Sequence, residues 1–588
     1  LTMANNIAFR QIPATLRLPL FWAEVDPTQA NSNTQPQRSL IIGQSLASGA
    51  INTVVATNAP TVSGAVLTFA AVPAAVQPGQ NVQDNTTSGA IALGTTVLSR
   101  TPTTVTLSAG VTGGGVLSAD SIIFSNLQPQ LVSSALIAAT QFGSGSMAAE
   151  MVGKYRQNDP TGELWVLPLV DDPNGTAATG SIVVSGTPTV NSTIPLYVDG
   201  ISIPVGVTTT MSTNQVASAI SAAINAATDG YTGVVLPLTA SPATATVTIT
   251  ARHKGSSGND IDFRLAYYGA AAGETIPAGL TFTLTPMSGG ATNPSTLMNL
   301  LLPNLMDQPF DFICMPYTDT NSLNATQSFM NDITGRWSWE RQDFGGVFSA
   351  AQGTVSALQT LGAARNDQHV SIMGYFSSPS PSWHWAAVYC GASARSLRAD
   401  PGRPLHYLPL VGVYAPSQAQ RFQMVDQLTL SFSGISAFDV GQDGTCIIKT
   451  DFTTYQSNAA GVPDDSYLKV ETMFLLAACL RYMRAGVTTV MARMKLADDG
   501  TRVSPGSNVV TPVIIKGYVI ALYQQMVNLG WVQDLPGFSA NVIVQRNALN
   551  PNRVDVLWPG VLINQLDVFA LLAQFRLSSA SFNVQLAT

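Results

Sequence analysis

Ser146–Val170 reads SMAAEMVGKYRQNDPTGELWVLPLV, and its two halves have different periods. Met147, Met151 and Tyr155 recur at i, i+4 and i+8, the spacing of one helix face, with Ser146 placed as a cap. Glu163–Val170 is a nearly unbroken apolar run of strand length. Strands covered on both faces read this way, because neither side of the pleat meets water. Working backward, Ser39–Gly43 (SLIIG) is a second such strand ending in glycine. The order is therefore strand, helix, strand, with a long interruption between the first two.

That interruption, roughly Ala47–Ser125, is dense in Thr, Val, Ala, Ser and Gly, with alternating pieces such as Thr103–Leu107. It predicts a small all-β module. A second module, roughly Ala177–Gly290, includes Ile194–Val198, a helix over Thr213–Ala227 and a strand over Ala245–Arg252. Both fit as insertions into surface loops. Beyond them the alternation resumes: helix Pro294–Leu305, strand Asp311–Pro316, helix Ser322–Ile333, strand Gly346–Ala350, helix Thr354–Arg365, strand Val370–Tyr375, helix Trp383–Leu397 and strand Leu408–Val413. Repeated β–α order implies a mostly parallel sheet covered by helices.

The last part is read as α+β. Gln418–Leu428 is predicted helical, Ile435–Val440 and Thr445–Thr450 form a hairpin around Asp443–Gly444, and Tyr467–Met491 is a long apolar helix. Thr511–Pro512 opens another helix that Gly530 closes. The expected organisation is an N-terminal arm and linker (1–37) and an α/β middle domain (38–46, 126–176 and 291–415). Two β-rich insertions (47–125 and 177–290) and a C-terminal domain with a terminal strand arm (416–588) complete it.

Both ends are apolar and strand-prone. Leu16–Val25 (LRLPLFWAEV) places Phe21, Ala23 and Val25 on one face and Trp22 and Glu24 on the other. At the other end, Arg553–Leu557 alternates, Pro559–Gly560 turns, and a run rich in Leu, Val and Phe follows to Leu577. Such a segment cannot satisfy its backbone and cover both faces alone. Leu18, Phe21, Trp22 and Val25 at one end, and Leu566, Val568, Phe569, Leu571, Phe575 and Leu577 at the other, are candidates for pairing with neighbouring copies. Asp26–Gln37 (DPTQANSNTQPQ) is a polar hinge.

Composition agrees with a surface covered by other chains. Charged residues make up only 10% of the 588, against about 25% in an average soluble protein. A net charge of -7 gives no support for nucleic-acid binding. No run reaches 18 consecutive apolar residues, so no membrane span is expected. LTMANNIAFRQ at the start lacks the features of a signal peptide. Cys314, Cys390, Cys446 and Cys479 are far apart and read as buried reduced thiols. Asp171–Asp172, Asp464–Asp465 and Asp498–Asp499 lie beside Gly or Pro or close to them and read as solvated turns. No metal or cofactor motif is present. Arg481, Arg484, Arg493 and Lys495 cluster on and after the long helix, either as a solvated face or as a patch for an acidic partner.

Several long segments, in order, resemble the contractile tail sheath proteins of Mu-like tailed phages (the myovirus tail sheath family). They are IPATLRLPLFWAEVDPTQA (Ile12–Ala30), FGSGSMAAEMVGKYRQNDPTGELW (Phe142–Trp165), ARHKGSSGNDIDFRL (Ala251–Leu265), NDQHVSIMG (Asn366–Gly374), MKLADDGTRVSPG (Met494–Gly506) and NPNRVDVLWPGVLINQLDVFALLAQFRL (Asn550–Leu577). The resemblance covers most of the chain outside Ala47–Ser125. It implies a subtilisin-like fold for the middle domain and a non-enzymatic structural subunit in the virion tail, assembled in the host bacterial cytoplasm. The implied partners are neighbouring sheath subunits, the tail tube protein, and baseplate and tail terminator proteins. The basic cluster becomes a candidate tube contact.

Two other readings stand beside this one. A sheath of a bacterial contractile injection machine (tailocin or type VI-like) would carry the same segments. A subtilisin-like hydrolase would need Ser146 as nucleophile with His and Asp in reach. The four histidines, His253, His369, His384 and His406, all follow Ser146 and none lies in a recognisable catalytic context.

Overall fold

A computed structural model describes residues 37–87, 89–112, 115–502, 504 and 506–575. Leu18, Phe21, Trp22, Val25 and Leu577 lie outside the described residues. At the centre is a six-stranded sheet in the order Val370–Tyr375, Gly346–Gln352, Phe310–Cys314, Arg38–Gln44, Leu164–Leu169, Gln130–Leu131. The first five strands run parallel and the sixth is antiparallel. Every residue of Phe310–Cys314 and Val370–Tyr375 is buried, as is all of Arg38–Gln44 but Arg38. Burial of consecutive residues means that both faces are covered, which is why these strands lack polar alternation.

Helices Met147–Asn158 and Ser382–Ala399 pack together beside this sheet. Ser146 Oγ accepts from the Ala149 amide at 3.2 Å, the expected cap. Gly43 allows the close approach of strand and helix, since a Cβ there would stand 3.1 Å from Ala148 Cα. The helix caps keep to the chemistry that the sequence offers. Asp319 caps Thr320–Met330, Thr354 caps Val355–Ala363, and Ser212 with Gln215 forms a capping box at Thr213–Ala226.

The two insertions differ in attachment. The first is an antiparallel six-stranded sheet around its own core of Leu67, Phe69, Val82, Val105, Leu107 and Phe124. The second holds a four-stranded and a three-stranded sheet with helix Thr213–Ala226. Its buried residues, Ile182, Leu196, Val216 and Ile249 among them, are continuous with the core of the central sheet.

Three expectations are corrected. Leu408–Val413 forms no strand; Pro409 makes a single bridge to Ile447, and the segment holds two tight turns with Tyr407 and Gly412 at positive φ. The helix expected over Gln418–Leu428 is a short 3-10 turn, Gln418–Gln420, followed by helix Met424–Ser431. The Gln423 amide donates to Asp426 at 2.9 Å, and this capping box sets the later start. The core also does not divide at residue 416. The hairpin Ala437–Val440 and Cys446–Thr450 continues the central sheet's core through Phe438 and Ile448, and Ser436 bridges to Met373 on the edge strand.

The division falls inside helix Val470–Met491. Val470 and Phe474 belong to the sheet core, with Phe474 stacked on Phe312 at 5.0 Å. Cys479, further along, belongs to the C-terminal core with Val519, Tyr523, Met526, Val532 and Phe538. Helix Pro512–Asn528 takes Pro at its first position, and Gly530 follows its end at φ +74°.

Candidate assembly surfaces

The C-terminal core is built on aromatic contacts. Tyr523 and Phe538 stack at 3.7 Å, and Trp558 meets both rings edge-on at 5.8 and 5.9 Å. Around it lie two short ribbons. Val532–Gln533 pairs with Val561–Leu562, and Ile543–Arg546 pairs with Val554–Leu557, both antiparallel. Each ribbon has only two strands among the described residues, so its outer backbone groups have no ladder partner. Isolated two-stranded ribbons are marginal in water. Ile543, Val556, Leu557 and Val561 are also exposed here.

Past the Ile563 amide, which donates to Trp531 O at 3.1 Å, the chain leaves this frame. Residues 564–575 form no strand. Leu566, Val568, Phe569, Leu571, Leu572 and Phe575 are between 71% and 85% exposed. One polar tie is shown for this arm: Lys469 Nζ donates to Asp567 Oδ1 at 2.7 Å. A second apolar stripe lies on helix Met424–Ser431, where Met424, Val425 and Leu428, with Phe432 just beyond, are exposed at helical spacing.

The four basic residues separate. Arg481 is taken up inside the chain: it makes a two-pronged contact with buried Asp311 at 2.5 and 2.9 Å and donates to Phe344 O at 2.7 Å. As a candidate tube contact it is therefore withdrawn, since the guanidinium ties the long helix to the sheet strand Phe310–Cys314. Asp311 is 170 residues away, so spacing gives no sign of the pair. Arg484, Arg493 and Lys495 are exposed, and none forms an ion pair with another described residue.

Asp171 is also misread as a solvated turn residue. Its carboxylate accepts from Gln44 Nε2 at 2.7 Å and from the Lys254 amide at 3.1 Å. Burial lifts it to about 6 despite those bonds. Asp171 lines a cavity of about 410 Å³ where the two insertions meet the central sheet, together with Asp84, Gln83, Arg252 and Lys254.

A buried ionisable cluster joins helix Met147–Asn158 to the second insertion. Glu150 accepts from Trp383 Nε1 at 3.0 Å and lies 3.1 Å from His384 Nε2. Burial raises Glu150 to about 8, against the pull of Trp383 and Lys154. Burial also drives His384 well below its ordinary value. Lys154 pairs with Asp229 at 2.8 Å across the same junction.

Among the described residues no hydrolytic centre is assembled around Ser146. Its hydroxyl is buried and caps a helix. The Ser257–His253 contact, at 3.3 Å, is enclosed, and His253 Nδ1 has no partner to orient it. Among the described residues, no group of three His, Cys, Asp or Glu could hold a metal ion. All four cysteines are buried and free. Helix Val470–Met491 is long and apolar enough to cross a membrane by length and composition. Its first turns lie in the sheet core, and it carries Arg481 and Arg484.

The phage tail sheath protein central domain matches residues 289–454, and the phage tail sheath C-terminal domain matches 462–576. The chain is 37% identical over 440 residues to the Mu-like prophage FluMu tail sheath protein of Haemophilus influenzae, an overlap of 75% of this chain and 87% of that one. Among solved structures it is similar to sheath tail proteins of Desulfitobacterium hafniense and Listeria innocua. The first overlaps 74% of this chain and 92% of the other at 12% identity and TM-score 0.38. The second overlaps 74% and 88% at 11% identity and TM-score 0.39. Overlays this loose carry no argument about domain arrangement.

Proposed function

Because this chain belongs to the phage tail sheath proteins, we propose that it polymerises around a tail tube by exchanging strands between neighbours, and that the polymer contracts to drive the tube through the host envelope. The protein is a structural subunit of the virion tail, assembled in the host cytoplasm, and has no enzymatic role. The observation that carries the strand-exchange reading is the C-terminal arm. Six large apolar side chains between Leu566 and Phe575 are exposed, with no strand partner among the described residues. Strand addition supplies that partner: main-chain bonds give affinity and alternate side chains enter pockets on each face. The two-stranded ribbons are the natural receivers, because their outer edges are open. The N-terminal segment with Leu18, Phe21, Trp22 and Val25 is assigned the same role from its pattern alone.

Each added strand contributes about 0.5–1.5 kcal/mol net per main-chain hydrogen bond. Links of this kind persist while globular bodies move, because main-chain pairing does not depend on how the bodies face one another. The apolar stripe at Met424, Val425, Leu428 and Phe432 is suited to contacts that form between bodies as they slide. Arg484, Arg493 and Lys495 form the tube-facing patch, leaving Arg481 to its internal role. Baseplate and tail terminator proteins meet the ends of the polymer.

The test is removal of residues 564–588. Purified wild-type subunits are expected to form hollow cylinders by electron microscopy, whereas the shortened chain stays a folded monomer. Ordered cylinders from the shortened chain would overturn the strand-exchange reading.

A further inference from the structure

Lys469 stands at the base of helix Val470–Met491 and is surrounded by more acid than it can satisfy at once. On its outer side its ammonium holds Asp567, the one charge among residues 564–575, at 2.7 Å. The lysine side chain is 17% exposed and the aspartate 40%. Its backbone bridges to Phe452, over whose ring the ammonium sits at 5.5 Å. On the inner side lie Asp451 and Glu471, 1% and 0% exposed. Glu471 Oε1 accepts from the Leu405 amide at 2.6 Å, and burial, followed by the charge of and hydrogen bond with Asp451, holds Glu471 well above the ordinary carboxylate range, so the two acids share a proton. Burial works against charging Lys469, yet Asp451, Asp567 and Glu471 together hold it above the ordinary lysine value.

We propose that Lys469 is a latch. Its ion pair with Asp567 parks the C-terminal arm on its own subunit, and the buried Asp451–Glu471 pair takes over the ammonium when the arm leaves for a neighbour. This rests on the strand-exchange reading of the arm. Departure of the arm then does not leave the half-enclosed ammonium unpaired, because the lysine exchanges Asp567 for the acid pair behind it. A free subunit keeps its apolar run close to its own body, and only a growing sheath end, which offers a whole strand's worth of bonds, draws it away. The latch slows self-nucleation in solution and leaves elongation on an existing end largely untouched.

The experiment uses the full chain with Asp567→Asn, and separately with Lys469→Gln. Hydrogen exchange is measured over 564–575 in dilute, unassembled subunits, and the assembly lag is followed by light scattering at two salt concentrations. Asp567→Asn is expected to speed exchange across the arm and to shorten the lag by roughly two- to five-fold, the range of a partly exposed ion pair. Added salt should shorten the wild-type lag and have less effect on the variant. Unchanged exchange and lag, or a longer lag, would overturn the latch. Lys469→Gln leaves Asp451 and Glu471 without their cation and threatens folding, whereas Asp567 lies on the exposed arm, so its variant keeps the test decisive. A chain ending at Ile563 separates the two ideas. If it assembles normally, the arm reading falls and the latch with it. If it fails to assemble while Asp567→Asn behaves as wild type, only the latch falls.

Discussion

Phe569 is the residue on which the arm's contribution can be measured. At 80% exposed in the subunit, its ring presents on the order of 150 Å² of apolar surface. At about 25 cal/mol per Å², full burial in a neighbour stabilises the link by about 3–4 kcal/mol. Alanine retains part of that surface, so Phe569→Ala should cost about 2–3 kcal/mol per link. A tenfold change in an equilibrium constant is about 1.4 kcal/mol, so the critical concentration for assembly should rise roughly 30- to 100-fold. Sedimentation of cylinders across a concentration series reads this directly, with monomer remaining in the supernatant. Gln574→Ala, on the same arm but polar, should shift the value by less than about threefold. The monomer's own melting temperature should not move, because no described residue covers Phe569. A critical concentration unchanged by Phe569→Ala would show that the ring stays in water in the polymer, and the arm would lose its role.

Arg481→Ala should destabilise the monomer by about 2–3 kcal/mol, less than the about 3–5 kcal/mol of a fully enclosed pair because the guanidinium is partly exposed. Urea unfolding of the arm-truncated chain measures it, and a loss below about 0.5 kcal/mol would refute the internal tie. Glu150 binds its proton more tightly folded than unfolded, since burial raises it from 4.5 to about 8. Its contribution is therefore complete below pH 4.5 and is lost as pH rises toward 8. Glu150→Gln should flatten the fall in melting temperature over that window, and an unchanged slope would contradict the assignment. Charge reversal at Arg493 and Lys495 should impair sheath growth on tubes while leaving the monomer's melt unchanged; normal growth on tubes would remove them from the contact.

The parallel sheet is legible in the sequence because its strands are enclosed on both faces. Val370–Tyr375 and Ser39–Gly43 are apolar or small throughout and end at turn or helix signals, so local composition alone specifies them. Leu408–Val413 looks similar, but Tyr407 and Gly412 at positive φ turn the chain on either side of Pro409 and leave room for a single bridge. Long-range side-chain pairs are less legible. Arg481 looks like one member of a basic cluster until Asp311 is brought beneath it, and Asp171 looks like a turn residue until Gln44 and Lys254 close over it. Such roles depend on which distant residues the fold brings together, and periodicity carries no record of that. The exposed run Leu566–Phe575 is the opposite case: its apolar composition is local, so the sequence shows it plainly.

Helix Val470–Met491 has its first turns clamped among sheet residues and its later turns among those of the smaller body. A rigid rod seated at both ends transmits torque. Any turn of the larger body therefore carries the smaller one with it as a single lever, and in the proposed sheath the give has to come from the tethers between subunits.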